Sequence, residues 1–232
     1  MPAFNEAASV GDVVTEVLRE APDVRVLVVD DGSVDATSEV ARAAGALVAT
    51  LPFNLGVGGA MRTGFRYARD NGFDAVVQVD ADGQHDPAEL GQLIDGLDEA
   101  DLVLGARFAG TGDYRVSGPR RWAMVVLSST ISRIAQTRLS DTTSGFRASG
   151  PRAIHLFAQH YPAEYLGDTI EALVIASRSG LKIAQLPVAM RVRAAGVPSH
   201  HPAKAALYLG RAGLALVFAL VRPRSTYRIG SA

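Results

Sequence analysis

The densest chemistry in this 232-residue sequence lies in one run, Asp80-Ala81-Asp82-Gly83-Gln84-His85-Asp86-Pro87. In an extended segment residues two apart face the same way, so Asp80 and Asp82 aim two carboxylates at one spot, with Gln84 next in line. That spot suits a hard divalent cation such as Mg²⁺, which takes one or two carboxylates and completes its shell with water and substrate phosphates. Asp86 before Pro87 also makes a good helix N-cap, and an acidic turn plus a cap accounts for part of the run without any ligand. A second group, Asp30-Asp31-Gly32-Ser33, has the composition of a strand-to-helix turn. Its carboxylates can also accept hydrogen bonds from a nucleotide base or ribose. Asn54, Gly56, Gly58 and Gly59 approach a dinucleotide fingerprint, but Met61 stands where the third glycine belongs, and the nicotinamide reading loses its key motif.

Both acidic groups close short apolar, β-branched runs, Val24 to Asp30 and Ala75 to Asp80, which read as buried parallel strands. Apolar residues spaced near 3.6 predict helices over Ala7 to Glu20, Asp35 to Ala44, Gly58 to Asn71 and Pro87 to Asp98, the last with proline in its first turn. Strands alternating with helices imply an α/β fold with a parallel sheet, whose ligands bind beyond the carboxyl ends of the strands. Further on lie a Gly-rich loop at Ala106 to Gly118, an apolar helix around Arg120 to Arg138 and a turn-rich stretch from Ser140 to Gly150. A helix over Glu164 to Ser179 and an extended segment over Leu181 to Val192 follow.

Composition is near the globular average, with 48% apolar and 20% charged residues. Cysteine is absent, which excludes disulfides, thiolate nucleophiles and zinc-thiolate sites. The formal net charge of -1 conceals a division. Residues 1 to 101 hold 6 Lys+Arg against 19 Asp+Glu, residues 102 to 232 hold 17 against 5, and no acid follows Glu171. An acidic part able to hold a cation and a basic part facing anions are implied, and two solvated faces of unlike sign are the plainer alternative.

Met1 is followed by a polar stretch without a basic patch or apolar run, so no signal peptide is expected and the start is read as cytoplasmic. Lys204 to Arg222 is the most apolar part, and its uninterrupted core, Ala212 to Val221, spans about 15 Å as a helix, half the hydrocarbon of a bilayer. It is too short to cross. Lys204, Tyr208 and Arg211 form one polar stripe on it, which suits an interfacial helix drawn to anionic lipid or a terminal helix packed on protein. The chain divides into a catalytic-type domain over 1–202 and a membrane-proximal or packing helix with a basic tail over 203–232.

Five segments in order, Pro2-Ala3-Phe4-Asn5-Glu6, Val28-Val29-Asp30-Asp31-Gly32-Ser33, Asn54-x-Gly56, Asp80 to Pro87 and Gly105-Ala106-Arg107-Phe108, resemble the signature of inverting family 2 glycosyltransferases with the GT-A fold. Asp141-Thr142-Thr143-Ser144-Gly145-Phe146-Arg147 is similar to the subgroup containing dolichyl-phosphate mannose synthase and bacterial polyprenyl-phosphate glycosyltransferases. The resemblance covers about residues 2 to 200. It implies that Pro2, Phe4, Glu6, Asp31 and Asp80 line the nucleotide pocket and that Asp80, Asp82 and Gln84 hold Mg²⁺ or Mn²⁺ at the donor diphosphate. It further implies that Arg107, Arg120, Ser144 and Arg147, with Arg121 as an equal neighbour of Arg120, receive the acceptor phosphate.

The resemblance thus implies transfer of mannose or glucose from GDP-mannose or UDP-glucose to a polyprenyl phosphate, by a protein peripheral on the inner face of the cytoplasmic membrane. A separate membrane anchor protein is a possible partner and nucleic acid is not expected. An anionic acceptor attacks C1 without a strong base, which fits a basic second half. A hydroxyl acceptor would call on Asp141 or Asp168 as base. The alternatives are such a soluble family 2 enzyme and an idle nucleotide-sugar-binding subunit. Arg191, Arg193, Ser199, His200 and His201 are read as a flap over the diphosphate or a basic surface loop, and His85 as structural. Family members ordinarily carry an apolar strand directly before the Pro-x-x-Asn-Glu motif. Here only Met1 precedes Pro2, so a gap in the sheet is expected unless the true start lies upstream or another segment substitutes.

Overall fold

The structure, a computed structural model, describes residues 1–106, 128–162 and 168–191. The apolar spacing of the first helical pattern yields α1 (Val10–Glu20), which buries Val10, Val13, Val14 and Val17 in one stripe. It follows a two-residue strand β1 (Pro2–Ala3) and precedes β2 (Leu27–Asp30). Next come α2 (Thr37–Ala43), β3 (Leu47–Thr50), α3 (Val57–Asp70) and β4 (Val76–Gln78). A 3₁₀ turn at Pro87–Glu89, N-capped by Asp86 through the Ala88 amide, leads into α4 (Leu90–Asp95) and β5 (Leu102–Ala106). Helical residues 128–135 form α5, and β6 (Arg147–Ser149), α6 (Pro151–His160), α7 (Asp168–Arg178) and β7 (Ile183–Pro187) complete the described chain.

The strands form a parallel sheet β1-β2-β3 and a mixed sheet β4-β6-β5-β7, in which β6 runs antiparallel to both neighbours and β5 pairs with β7 in parallel. Helices cover both faces. On one, α3, α6 and α7 enclose a cluster around Phe65, Phe157 and Tyr161, whose rings sit 5.1–5.4 Å apart. On the other, α1, α2 and α4 pack Val10, Val14, Ala41 and Leu93 against Val28, Val103 and Phe146. The α/β architecture expected from alternating elements is the one observed.

The two acid-ended strands are shorter than their apolar runs: β2 starts at Leu27 instead of Val24, and β4 ends at Gln78 instead of Asp80. Between β2 and β4 lies an apolar cavity of about 340 Å³, lined by the edges of both strands and reached by Met1 and Pro2 at one end. A strand needs a hydrogen-bonded neighbour on at least one side to persist, and the residues flanking this gap lose that support. The pattern also missed β6, because three residues inside a turn-rich stretch carry no periodicity. Among the described residues no helix is long and apolar enough to cross a membrane. The helix expected beyond Lys204 lies outside the described residues, as do 203–232 altogether.

Candidate functional site

The register of β6 brings the site together. In the antiparallel ladder Gln78 faces Arg147, Val77 faces Ala148 and Val76 faces Ser149, so the chain leaving β4 runs toward the chain entering β6 and brings Asp80 beside Gly145. A Cβ placed on Gly145 would meet the Asp80 Oδ2 at 3.1 Å and the Gln78 Nε2 at 3.0 Å, so any side chain here would push the Asp80 and Gln78 side chains aside by a few tenths of an ångström. Gly105 of β5 donates its amide to the Phe146 carbonyl at 2.9 Å, so the end of β5 stands level with the same loop. The Asp80–Asp86 loop, the Asp141–Arg147 loop and the exit of β5 thereby meet at one edge of the sheet.

Asp80 is the open member, with 38% of its side chain accessible, and its Oδ1 accepts from Gln78 Nε2 at 3.3 Å. Asp82 is buried, and its Oδ1 accepts the Gln84 amide at 3.0 Å. Ala81 and Asp82 form a turn, which corrects the extended i, i+2 geometry expected from sequence. His85 is buried beneath them. Its Nδ1 accepts the Asp80 amide at 3.0 Å, its Nε2 lies 3.6 Å from Asp80 Oδ2, and its ring stacks on Phe146 at 4.7 Å and 11°. It thus joins the acidic loop to the Ser144–Arg147 loop, in keeping with the structural part expected of it.

Among the described residues no group of three or more His, Asp or Glu could hold a metal ion. The candidate donor set is two carboxylates and the neutral amide of Gln84, all hard oxygen donors. Such a set fits a divalent cation that draws its remaining ligands from water and phosphate.

On the neighbouring sheet the acids hold backbone. Asp30 accepts the Ser33 amide at 2.9 Å and the Ser38 hydroxyl. Asp31 takes the Leu55 amide on one oxygen at 2.7 Å and the Gly56 amide on the other at 2.8 Å. Burial pushes the Asp31 carboxyl above the usual range, and those two amides partly offset the shift. Gly32, at φ 74°, permits the tight return, since a Cβ there would lie 2.8 Å from the Phe53 carbonyl carbon. The Pro2–Glu6 segment is laced to the same turn: Asn5 donates its amide to Ser33 Oγ and accepts the Val34 amide, and Glu6 donates its amide to Thr37 Oγ1. Phe4 projects from this rim, 41% exposed, and Asp31 donates its amide to the Ala3 carbonyl at 2.8 Å, which puts the Pro2–Glu6 segment beside the carboxyl end of β2.

Of the basic residues singled out, Arg147 is 5% exposed, and its guanidinium donates to the carbonyls of Ser144 (2.8 Å), Thr169 (3.0 Å) and Thr142 (3.3 Å). Ser144 is buried beside it. Arg107, Arg120 and Arg121 lie outside the described residues, as do Arg193, Ser199, His200 and His201. Arg191 clamps both Glu16 oxygens and Asp86 at 2.7–2.8 Å, while its amide bonds the Gln84 carbonyl. It fastens the segment after β7 to the acidic loop and to α1, and sequence alone offered no signal for that. Asp141 is fully buried and accepts the amide and hydroxyl of Thr143.

A family model described as "Glycosyl transferase family 2" matches residues 1–158. The chain is 35% identical over 156 residues to a polyprenol monophosphomannose synthase of Mycolicibacterium smegmatis, an alignment spanning 64% of this chain and 59% of that protein. It is 32% identical over 206 residues to an undecaprenyl-phosphate mannosyltransferase of Micrococcus luteus, spanning 84% of each. Among solved structures, glucosyl-3-phosphoglycerate synthase from Mycobacterium tuberculosis superposes with a TM-score of 0.73 at 22% identity, covering 96% of this chain and 79% of that one, which shows the fold.

Proposed function

The chain belongs to glycosyl transferase family 2 and has the GT-A fold, and from that premise we propose that it moves a hexose from a nucleotide sugar to a polyprenyl phosphate with inversion at C1. It is a hexosyltransferase, as relatives named for mannosyl transfer to lipid phosphates support. The observation that carries the acceptor class is the meeting of Asp80 with Gly145, which sets a cation-binding type of loop against the loop most similar to the lipid-phosphate subgroup.

Asp80, Asp82 and Gln84 would hold a Mg²⁺ or Mn²⁺ ion; a related fold has been solved with Mn²⁺ and uridine diphosphate. Such an ion offsets charge on a departing diphosphate, an effect worth several kcal/mol. The Pro2–Glu6 and Asp30–Ser33 segments form the wall for the nucleotide, with Asp31 keeping the 54–56 loop in place. Arg147 is assigned to holding the Ser144 loop, since its guanidinium already serves three carbonyls. Presentation of the acceptor phosphate then falls to Arg107, Arg120 and Arg121, with bidentate guanidinium forks orienting it for in-line attack. An acceptor phosphate oxygen forms the new bond to C1 as the bond from C1 to the donor diphosphate breaks, and no proton has to be removed.

A hydroxyl acceptor needs a base, and burial of Asp141 disfavours it in that part. Residues 203–232 are assigned to peripheral contact with anionic lipid at the inner face of the cytoplasmic membrane. The test is incubation with radiolabelled GDP-mannose or UDP-glucose, polyprenyl phosphate and Mg²⁺ or Mn²⁺, followed by solvent partition. Label entering the organic phase is expected. Label passing only to water-soluble sugar acceptors would support the hydroxyl reading, and donor binding without transfer would support an idle subunit.

A further inference from the structure

The chain leaving β7 is laid along the acidic loop and the turn that ends it. Gln92 Nε2 donates to the Pro187 carbonyl at 3.2 Å, the Ala189 amide donates to Glu89 Oε1 at 3.1 Å, and Met190 forms an antiparallel bridge with His85. Arg191 closes this run with two holds on the loop. Its amide donates to the Gln84 carbonyl at 2.9 Å. Its guanidinium donates through one nitrogen to Asp86 at 2.7 Å and through another to both Glu16 oxygens at 2.7–2.8 Å.

The consequence falls on Gln84. Its amide is taken by Asp82 Oδ1 at 3.0 Å and its carbonyl by Arg191, so the peptide units on both sides of this residue are held. Asp86 Oδ1 also accepts the Ala88 amide at 3.1 Å, so the same guanidinium braces the cap at which the loop ends. The far anchor, Glu16, stands on α1, whose Val13, Val14 and Val17 are buried in the core. The three side chains of this clamp remain partly exposed, and ion pairs in that setting contribute little to overall stability. What they can do is select one geometry for the loop, a task for which the planar fork of arginine is suited and the single ammonium of lysine is not.

We propose that Arg191 is a positioning residue for the donor cation: clamped between Glu16 and Asp86, it holds the Gln84 main chain so that the Gln84 side chain is presented to a divalent ion together with Asp80 and Asp82. The inference rests on the assigned metal set and adds to it a residue that touches neither metal nor substrate. Groups that orient a ligand from behind change metal affinity by about 10–100-fold. Charge alone predicts the opposite sign, since deleting a cation near a cation site and freeing Glu16 and Asp86 would tighten divalent-ion binding.

The experiment titrates the full chain with Mn²⁺ in the absence of donor and reads the free ion by electron paramagnetic resonance. Arg191→Met is expected to weaken binding about tenfold, with Arg191→Lys between it and the parent. The Tm of Arg191→Met should stay within about 3 °C of the parent, and the amide of residue 191 should exchange about tenfold faster in the metal-free protein. Glu16→Gln is expected to weaken binding about threefold in the parent and not at all on the Arg191→Met background, where the anchor has nothing left to hold. Unchanged or tighter Mn²⁺ binding by Arg191→Met, equal losses from Glu16→Gln in both backgrounds, or a Tm lowered beyond that range would overturn the proposal. A parent chain that takes up no Mn²⁺ would overturn the metal assignment along with it, whereas normal uptake by the parent without these losses overturns the positioning part alone.

Discussion

The two sheets differ in how charged side chains hold their backbone: carboxylates serve amides at both, and around the second sheet guanidiniums serve carbonyls as well. In β1-β2-β3 the carboxylates of Asp30, Asp31 and Asp35, with the Asn5 amide oxygen, accept from loop N–H groups. Around β4-β6-β5-β7 the guanidiniums of Arg62, Arg66 and Arg147 donate to carbonyls: Tyr161, Ala158 and the loop at 142–144. Several acids of the first half and, through Arg62, Arg66 and Arg147, bases of both halves therefore brace the fold. Asp80, with its accessible carboxylate at the junction of the sheets, differs from these bracing acids. The lesson is that charge counted along a sequence becomes a ligand site only where it is left over after the backbone is served.

The sharpest way to break that contrast is at the junction. Asp82→Ala is expected to slow transfer by roughly 10²–10³-fold, the worth of several kcal/mol, beyond the smaller loss of stability from a Gln84 amide left without its acceptor. A wild-type rate in the partition assay would place the acids of both sheets in the same bracing class. Arg147→Met strands two carbonyls of a buried loop, Thr142 and Ser144, and the Thr169 carbonyl of α7, and a loss of roughly 3 kcal/mol is expected in a urea titration. Unchanged stability would mean that Arg147 serves a ligand and not the loop.

The Met1 nitrogen gives a pH test of the first sheet. Its pKa is lowered to about 6 in the fold from 8.0 in the open chain, so between those values the unfolded state binds more protons. Stability should rise from pH 6 to pH 8, by roughly 1–3 kcal/mol, and amine acetylation should flatten that rise. A fall over this interval in urea titrations would contradict it. The smallest effect is expected at His85, which touches the Asp80 loop from beneath: His85→Asn should raise the divalent-cation concentration for half-maximal transfer by roughly tenfold while kcat at saturating metal stays near wild type. Equal metal dependence would confine His85 to packing on Phe146.

Much of this arrangement was legible in sequence. Apolar runs ending in acid located β2 and β4 to within three residues, and the spacing of Val10, Val13, Val14 and Val17 located α1. The pattern of two acids ending an apolar run did not by itself separate Asp80, whose carboxylate is accessible, from Asp30 and Asp31, which hold loop amides. The antiparallel insertion of β6 was not legible, since Arg147, Ala148 and Ser149 acquire strand geometry only from β4 and β5 on either side. Nor was the Arg191 clamp, whose partners Glu16 and Asp86 lie 175 and 105 residues away. The bracing part of Arg147 was hidden for the same reason: which carbonyls surround a guanidinium is a property of the fold.

The most direct test of the junction is Gly145→Val, which puts methyl groups where the Asp80 carboxylate and the Gln78 amide now stand 3.0–3.1 Å from the missing Cβ. Transfer of labelled hexose to polyprenyl phosphate should fall by roughly 10²-fold or more as Asp80 is displaced, while circular dichroism and the Tm stay within a few degrees of wild type. A variant that folds normally and transfers at the parent rate would show that the acidic loop and the Gly145 loop do not act as one site.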